Sequence, residues 1–274
     1  LAITFVGIAA NALLSACLTL RLAHRKPRPA PPPKGAHPGR LAWALEIGVI
    51  VFALSQAWLI VNSFELRDEV ANIAHRGSSM AAPENTLAAV ERAIQDGADY
   101  VEIDVRLTAD DEVVLFHDRS LTRLTGDPRN LGELTREELA VFDVGSWFGD
   151  AFQGERIPGL DETLAAVRGR NALMIDMKPD PGREVALVEG VIAALREESA
   201  RRQACHEEAA DAEAAAACGS VDVVGETRVA TMSAALVEEI RAREPELRVT
   251  LLAQLILPGT LDRRGFDALG LRHN

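Results

Sequence analysis

Three short apolar stretches lie close together in this chain, and each carries polar groups at or near its end. Their length and composition are typical of buried β-strands. Between the first two, residues 85–96 have apolar side chains at helical spacing and are followed by Gly97, a common helix stop. The order strand, helix, strand is the repeat of an α/β fold. The three stretches are residues 70–74, 100–107 and 113–116.

The second stretch carries two acidic residues on alternate positions. Because side chains alternate across a strand, Glu102 and Asp104 point to one side, and Val101, Ile103 and Val105 point to the other. Two carboxylates turned inward on an apolar strand repel each other and lose hydration unless a cation lies between them. A hard divalent ion such as Mg²⁺ or Ca²⁺ is the natural candidate. The alternative is a solvated strand face with unrelated acids.

The polar groups belong to motifs that follow one another in a fixed order. These motifs are Ile-Ala-His-Arg-Gly, Pro-Glu-Asn-Thr, Gly-Ala-Asp-Tyr-Val-Glu-Ile-Asp-Val-Arg-Leu-Thr and Phe-His-Asp. In order and spacing the set resembles the signature of the glycerophosphodiester phosphodiesterases. The resemblance continues to about the end of the chain, through Leu121-Thr122-Arg123, residues 157–162 and residues 174–178.

This resemblance implies an α/β fold of the (β/α)₈ TIM-type barrel class, with the active site at the carboxyl ends of the strands. It would occupy residues 71–274. Four further strands are expected at residues 173–177, 229–232, 249–253 and 266–271, with helices at residues 184–197 and 234–243. About seven strands result, so the barrel is expected to be incomplete at its C-terminal side. The start at Leu1 and the end at Asn274 lead us to expect a fragment.

The resemblance and the chemistry of a phosphodiester together assign roles to the polar residues. A catalyst must neutralise the phosphate oxygens, activate the attacking hydroxyl and protonate the leaving alkoxide. The expected cation ligands are Glu102, Asp104 and Asp176, and the expected phosphate ligands are Arg76 and Lys178. His75 and His117 would exchange the proton, one as base and the other as acid, because imidazole titrates near neutral pH. The nucleophile is water or the neighbouring glycerol hydroxyl.

Several of these assignments have alternatives. Asn85 either caps the following helix or supports or binds the metal, and Glu84 either orients Arg76 or the metal ligands or binds the metal directly. Asp176 stands where the family more often has glutamate, and Lys178 has the alternative of an ordinary surface lysine.

The sequence ahead of the barrel is of another kind. Residues 1–20 have no charged residue and residues 41–66 have two glutamates, of which Glu46 is the only charge before residue 65, so each can cross a hydrocarbon core of about 30 Å. We therefore expect two transmembrane helices; a signal peptide for the first and buried soluble helices are the alternatives. Residues 21–40 are basic and rich in proline, which predicts a cytoplasmic linker. An integral membrane protein with an extracytoplasmic catalytic domain follows.

Charge and cysteine usage give weaker constraints. The chain has a formal net charge of -12, and the acidic residues concentrate beyond residue 66. A strongly acidic domain is a poor partner for nucleic acid. Cys205 and Cys218 can form a disulfide only if the chain turns between them, since one straight helix would hold them too far apart.

Three functions remain open from the sequence. The first is metal-dependent hydrolysis of glycerophosphodiesters to glycerol 3-phosphate and an alcohol. The second keeps catalysis but uses a lysophospholipid at the membrane surface, as a lysophospholipase D or a cyclising phospholipase. The third is a non-catalytic extracytoplasmic binding module. Two proton-transfer histidines beside an acidic pair favour an enzyme over the binding module.

Overall fold

A computed structural model describes residues 71–253 and 265–271, together with helical residues 43–44, 47–48, 50–52, 54–56 and 58. The chain divides into two units, Leu1–Glu69 and Val70–Asn274. The predicted first span, residues 1–20, and the basic linker, residues 21–40, lie outside the described residues.

Only part of the second predicted span, residues 41–66, is described. Its described residues are helical, and their large apolar side chains, among them Trp43, Ile47 and Trp58, are exposed. Across the described part of the chain, no helix has both the length and the apolar character that crossing a bilayer requires.

The second unit alternates strands with helices, as the sequence pattern predicts. Its strands are β1 (Ile73–Ala74), β2 (Tyr100–Leu107), β3 (Val113–Leu115), β4 (Ala172–Met177), β5 (Arg228–Thr231), β6 (Arg248–Ala253) and β7 (Ala268–Leu271). Its α-helices are Leu87–Gln95, Thr122–Thr125, Arg136–Leu139, Leu160–Val167, Glu184–Glu208, Ala212–Ala217, Val223–Glu226 and Ala234–Arg243, and short 3₁₀ turns occur at Leu131–Glu133 and Asp150–Phe152.

The strands form one sheet in the order β1-β2-β4-β5-β6-β7, and every pair along this path is parallel. β3 differs, because it pairs antiparallel with β2. The prediction that residues 113–116 form one more strand of the barrel is therefore wrong. The link between β2 and β3 is too short for the crossover that a parallel neighbour needs. The described strands therefore contribute six parallel members to the sheet.

The two faces of the sheet have different roles. Val101, Ile103 and Val105 of β2 are fully buried in the main hydrophobic core, which lies between the sheet and its helices. Glu102 and Asp104 project from the opposite face, so the predicted alternation is confirmed. A second, smaller core stabilises the long segment between β3 and helix Leu160–Val167.

Cys205 and Cys218 form a disulfide, with their Cα atoms 5.7 Å apart. The long helix Glu184–Glu208 ends before the second cysteine, and the separate helix Ala212–Ala217 leads into Cys218. The break between these helices supplies the turn that the sequence analysis required for a bridge.

Gly77 lies where the backbone leaves β1 and passes close to helix Leu87–Gln95. Its φ is +74°, and a Cβ at this position would stand 2.6 Å from the carbonyl carbon of Ala89. Gly97 has the same φ of +74° but no atom within 4 Å of such a Cβ. The two glycines thus share a backbone conformation and differ in the space around them.

We expect Gly77→Ala to lower the free energy of unfolding by at least about 2 kcal/mol more than Gly97→Ala does, because only the first adds a steric clash to the left-handed backbone. Urea unfolding of the two variants measures this difference. Equal destabilisation would show that the close approach to Ala89 contributes nothing.

Candidate active site

Three carboxylates come together on the neighbouring strands β2 and β4. Asp104 and Asp176 are direct partners in the parallel register of these strands, and Glu102 lies two residues before Asp104. One oxygen of each lies within 4.8 Å of the others, and all three side chains are buried. The three residues that the sequence predicts as metal ligands are therefore adjacent, and we call them the acidic triad.

The electrostatics of the acidic triad favour a bound cation. Burial, followed by the charge of Asp104, raises the pKa of Glu102 to about 8. Burial also raises the pKa of Asp176, although Lys178 opposes this effect. The buried Oδ1 of Asp176 has no hydrogen-bond partner within the described residues. An all-oxygen ligand set with an unsatisfied carboxylate oxygen fits a hard divalent ion such as Mg²⁺ or Ca²⁺.

The two predicted phosphate ligands lie beside the acidic triad. Lys178 Nζ is 2.5 Å from Asp176 Oδ2 and 3.3 Å from Asp104 Oδ1. Arg76 Nε is 3.1 Å from Asp104 Oδ2, and its backbone N–H donates to Glu102 Oε2 at 2.6 Å. Lys178 is thus part of the site, and its alternative as a surface lysine is wrong. The cationic side chains of Arg76 and Lys178 are therefore close enough to the carboxylates to contact an anion bound beside them.

Asn85 fixes the position of Asp104. The Nδ2 of Asn85 donates to Asp104 Oδ2 at 2.9 Å, and the Asn85 Oδ1 accepts from the Asp104 backbone N–H at 2.9 Å. The helix cap is Thr86, whose hydroxyl accepts from Ala89 N. The helix-cap alternative for Asn85 was therefore wrong, and its side chain supports a candidate metal ligand instead.

Glu84 is held by two arginines. Its Oε1 accepts from Arg76 Nη1 at 2.9 Å, and both of its oxygens accept from Arg123, at 2.6 and 2.9 Å. Burial tends to raise the pKa of Glu84, but the hydrogen bonds and charges of Arg123 and Arg76 outweigh it and lower the pKa. These contacts agree with one of the roles expected for Glu84, which is to orient Arg76.

His75 and His117 face the same cavity as the acidic triad. Nδ1 of His117 lies 2.7 Å from Asp118 Oδ1, and Asp118 Oδ2 accepts from Arg123 Nε at 2.6 Å. Burial, followed by the charge of Arg76, lowers the pKa of His75 from its ordinary value. Two imidazoles at one acidic site can accept and donate a proton on the same bound molecule.

The sequence analysis missed three residues that support the site. Asp118 holds His117, and Arg123 holds both Asp118 and Glu84. Arg106 donates to the carbonyl oxygens of His117 and Lys178, at 2.9 and 3.2 Å, and so ties two site-bearing segments to β2. The position of Asp118 directly after His117 was a signal for its role. Arg123 and Glu84 are 39 residues apart, and neither the hydrophobic periodicity nor the motif spacing of the sequence indicates their contact.

The cavity encloses about 500 Å³ along the inner face of the sheet. One wall comes from residues 71–178 and carries most of the polar groups, namely His75, Arg76, Glu102, Asp104, His117, Asp176 and Lys178. Its other wall comes from β5, β6, β7 and adjoining residues, and it is largely apolar. The lining residues beyond residue 178 are Arg228, Ala230, Met232, Thr250, Leu252 and Ala268.

A mainly parallel α/β sheet with three carboxylates, two histidines and two cationic side chains at one cavity is consistent with a phosphoric diester hydrolase. The chain belongs to the glycerophosphoryl diester phosphodiesterase family, whose family model matches residues 75–256.

Individual relatives agree with this membership. A glycerophosphodiester phosphodiesterase of Caldanaerobacter subterraneus is 40% identical over 124 residues, which are 43% of this chain and 51% of that protein. A phosphodiesterase of Oleispira antarctica, solved in complex with its product sn-glycerol-3-phosphate, has a TM-score of 0.57 and 29% identity, and the match covers 68% of this chain and 67% of that one. A glycerophosphodiester phosphodiesterase of Agrobacterium tumefaciens has a TM-score of 0.51 and 30% identity, over 66% of this chain and 65% of that one. The chain spans about half the length of the curated bacterial relatives it matches.

Proposed function

We propose that this protein hydrolyses glycerophosphodiesters to glycerol 3-phosphate and an alcohol with the help of a divalent cation. The observation that carries the proposal is the meeting of the acidic triad, two cationic side chains and two histidines at one cavity. Family membership supports the same reaction class. The product complex of the Oleispira antarctica phosphodiesterase supports the substrate.

The cation site would be formed by Glu102, Asp104 and Asp176. A cation bound there supplies charge neutralisation for the phosphate oxygens, which is the chemistry that a monoanionic diester needs. Arg76 and Lys178 bind the remaining phosphate oxygens, and Asn85 keeps Asp104 in place. Water adds across one P–O bond, so the leaving alkoxide takes up one proton while the attacking water gives up another.

The two histidines differ in surroundings, and the difference supports a different role for each. The lowered pKa of His75 keeps its imidazole neutral at pH 7, so His75 accepts the proton of the attacking water. The pKa of Asp118 is also lowered, despite burial, by Arg123 and His117. An ionised Asp118 accepts a hydrogen bond from Nδ1–H of His117. Nε2 of His117 then remains to donate a proton to the leaving oxygen.

The test follows choline release from glycerophosphocholine, with glycerol 3-phosphate as the second product, and choline release from lysophosphatidylcholine, using the complete protein with Mg²⁺, Ca²⁺ or chelator. Cation-dependent release from glycerophosphocholine is the expected result. Choline release from the lysophospholipid alone would indicate a lysophospholipase D. A cyclic phosphate product would identify the glycerol hydroxyl as the nucleophile. Binding of either diester without product under every condition would support the binding module instead.

We also propose that residues 1–20 and 41–66 anchor the protein in a membrane with the catalytic unit on the extracytoplasmic side. The supports are the scarcity of charge in both segments, the basic composition of residues 21–40 and the exposed apolar side chains of described residues such as Trp43, Ile47 and Trp58. Protease added to intact cells is expected to cut the catalytic unit. Cutting only after lysis would overturn this topology.

A further inference from the structure

Arg123 contacts two carboxylates that belong to different parts of the chain. Its Nη1 and Nη2 donate to the two oxygens of Glu84, at 2.9 and 2.6 Å. Its Nε donates to Asp118 Oδ2 at 2.6 Å. All three guanidinium nitrogens are therefore directed at these two acids. A planar guanidinium with a fixed fork of donors suits such a double contact better than an ammonium does.

Each of the two carboxylates holds a second side chain of the candidate active site. Glu84 accepts from Arg76, which contacts Asp104 of the acidic triad. Asp118 contacts the ring of His117. A continuous set of contacts thus runs from Arg76 through Glu84, Arg123 and Asp118 to His117. The proton-transfer group and the phosphate-binding group are joined through three residues, and none of the three lines the cavity.

The contacts of Arg123 also decide which atom of Asp118 is free. Since Arg123 occupies Oδ2 of Asp118, Oδ1 remains for the ring of His117. A carboxylate with both oxygens free can rotate and present either one, whereas a carboxylate fixed on one side orients the imidazole on the other. Partners of this kind set the orientation of a functional histidine, and their loss typically lowers activity about 10- to 100-fold.

We propose that Arg123 is a positioning residue that fixes His117 and Arg76 relative to each other by bridging Asp118 and Glu84. The proposal rests on the proposed function, because it assigns these two side chains to one reaction. It goes beyond that function by giving a role to a partly exposed arginine outside the cavity. Its side chain is 44% exposed, so the free energy of the ion pairs is reduced by solvent, and the geometric effect is the important one.

The chain offers a matched control in the same segment. Arg129 Nε and Nη2 donate to the two oxygens of Asp127, at 3.0 and 2.8 Å, and the Arg129 side chain is 51% exposed. Arg129→Gln therefore removes a comparable two-point arginine–carboxylate contact that does not reach the cavity. A loss shared by both variants would reflect the stability of the segment, and a loss confined to Arg123 would reflect the site.

The experiment compares the complete protein with Arg123→Gln, Arg123→Lys and Arg129→Gln, with glycerophosphocholine and Mg²⁺. Arg123→Gln is expected to lower kcat about 10- to 100-fold while KM changes less than about threefold. Arg123→Lys should recover part of the loss, because an ammonium keeps the charge without the fork. Arg129→Gln should stay within about twofold of the wild type. Glu84→Gln combined with Arg123→Gln should lose no more than the larger single effect, since both remove one bridge.

A second measurement works without turnover. Nitrogen-15 resonances of the His117 ring report its tautomer and its hydrogen bond to Asp118, and they should change in Arg123→Gln but not in Arg129→Gln. Unchanged His117 resonances in Arg123→Gln would overturn the positioning role, as would equal losses of kcat in the two glutamine variants. If the wild-type protein releases no glycerol 3-phosphate, the proposed function is wrong. The His117 resonances would then test the positioning role of Arg123 independently of that function.

Discussion

Asp104→Asn is expected to lower phosphodiester hydrolysis at least about 10³-fold and to abolish cation binding. Asp104 is 1% exposed and receives contacts from Asn85, Arg76 and Lys178, besides lying next to the other two acids of the triad. The substitution keeps the size of the side chain but removes its charge, so a cation would lose a ligand at the centre of the site. Steady-state kinetics with Mg²⁺ or Ca²⁺ and calorimetric titration of the cation measure the two effects separately.

The raised pKa of Glu102, about 8, adds a pH dependence to the same prediction. Below pH 8 the carboxyl group is largely protonated without a cation, and binding requires its ionised form. Cation affinity of the wild type should therefore rise with pH up to about 8, and binding at pH 7 should release protons. Titration in buffers of different ionisation enthalpy detects this release.

A control for Asp104→Asn is Asp127→Asn, which removes an acid from the Asp127–Arg129 pair away from the cavity. It should leave activity and cation affinity unchanged. Unaltered cation binding in Asp104→Asn would mean that the acidic triad is not the cation site.

His75→Ala and His117→Ala should each lower kcat about 10²- to 10⁴-fold, since each removes one proton-transfer group from the cavity. Both variants should still bind the cation, because neither histidine belongs to the acidic triad. The double variant should be little worse than the poorer single one, as groups that act on one transition state do not contribute additively. Initial rates with glycerophosphocholine at saturating Mg²⁺ give the comparison.

His206→Ala provides the matched control for the histidine variants. Nε2 of His206 lies 2.7 Å from the carbonyl oxygen of Gly219, and His206 is absent from the lining of the cavity. Its loss should leave kcat unchanged. Full activity in His75→Ala or His117→Ala would remove that histidine from the reaction.

The sequence predicted the strands and the inward placement of Glu102 and Asp104 well because both depend on local patterns. Alternation alone placed Glu102 and Asp104 on one face of β2, and the register of β2 with β4 then brought Asp176 beside them. Local patterns do not determine strand direction, which is why the antiparallel pairing of β3 was missed. The length of the link between β2 and β3 carried this information, since only a hairpin can close so short a connection.

Contacts between distant side chains could not be predicted in the same way. Asn85 precedes a helix, so a capping role fitted its sequence position, yet the side chain turns towards Asp104 across 19 residues. The roles of Glu84 and Arg123 likewise depend on a fold that brings their segments together. Such pairs have no periodicity, and only the assembled sheet reveals them.

The groups proposed for catalysis line one wall of the cavity, and mostly apolar residues from a later part of the chain line the other. Every group assigned to bond breaking lies within residues 75–178, whereas the largely apolar wall is supplied by β5, β6, β7 and adjoining residues. Under the proposed function, substitutions in that wall, at Met232 or Leu252 for example, are expected to change which alcohol portion fits while the carboxylates stay in place. Substrate preference and bond breaking would then be open to separate alteration in this chain.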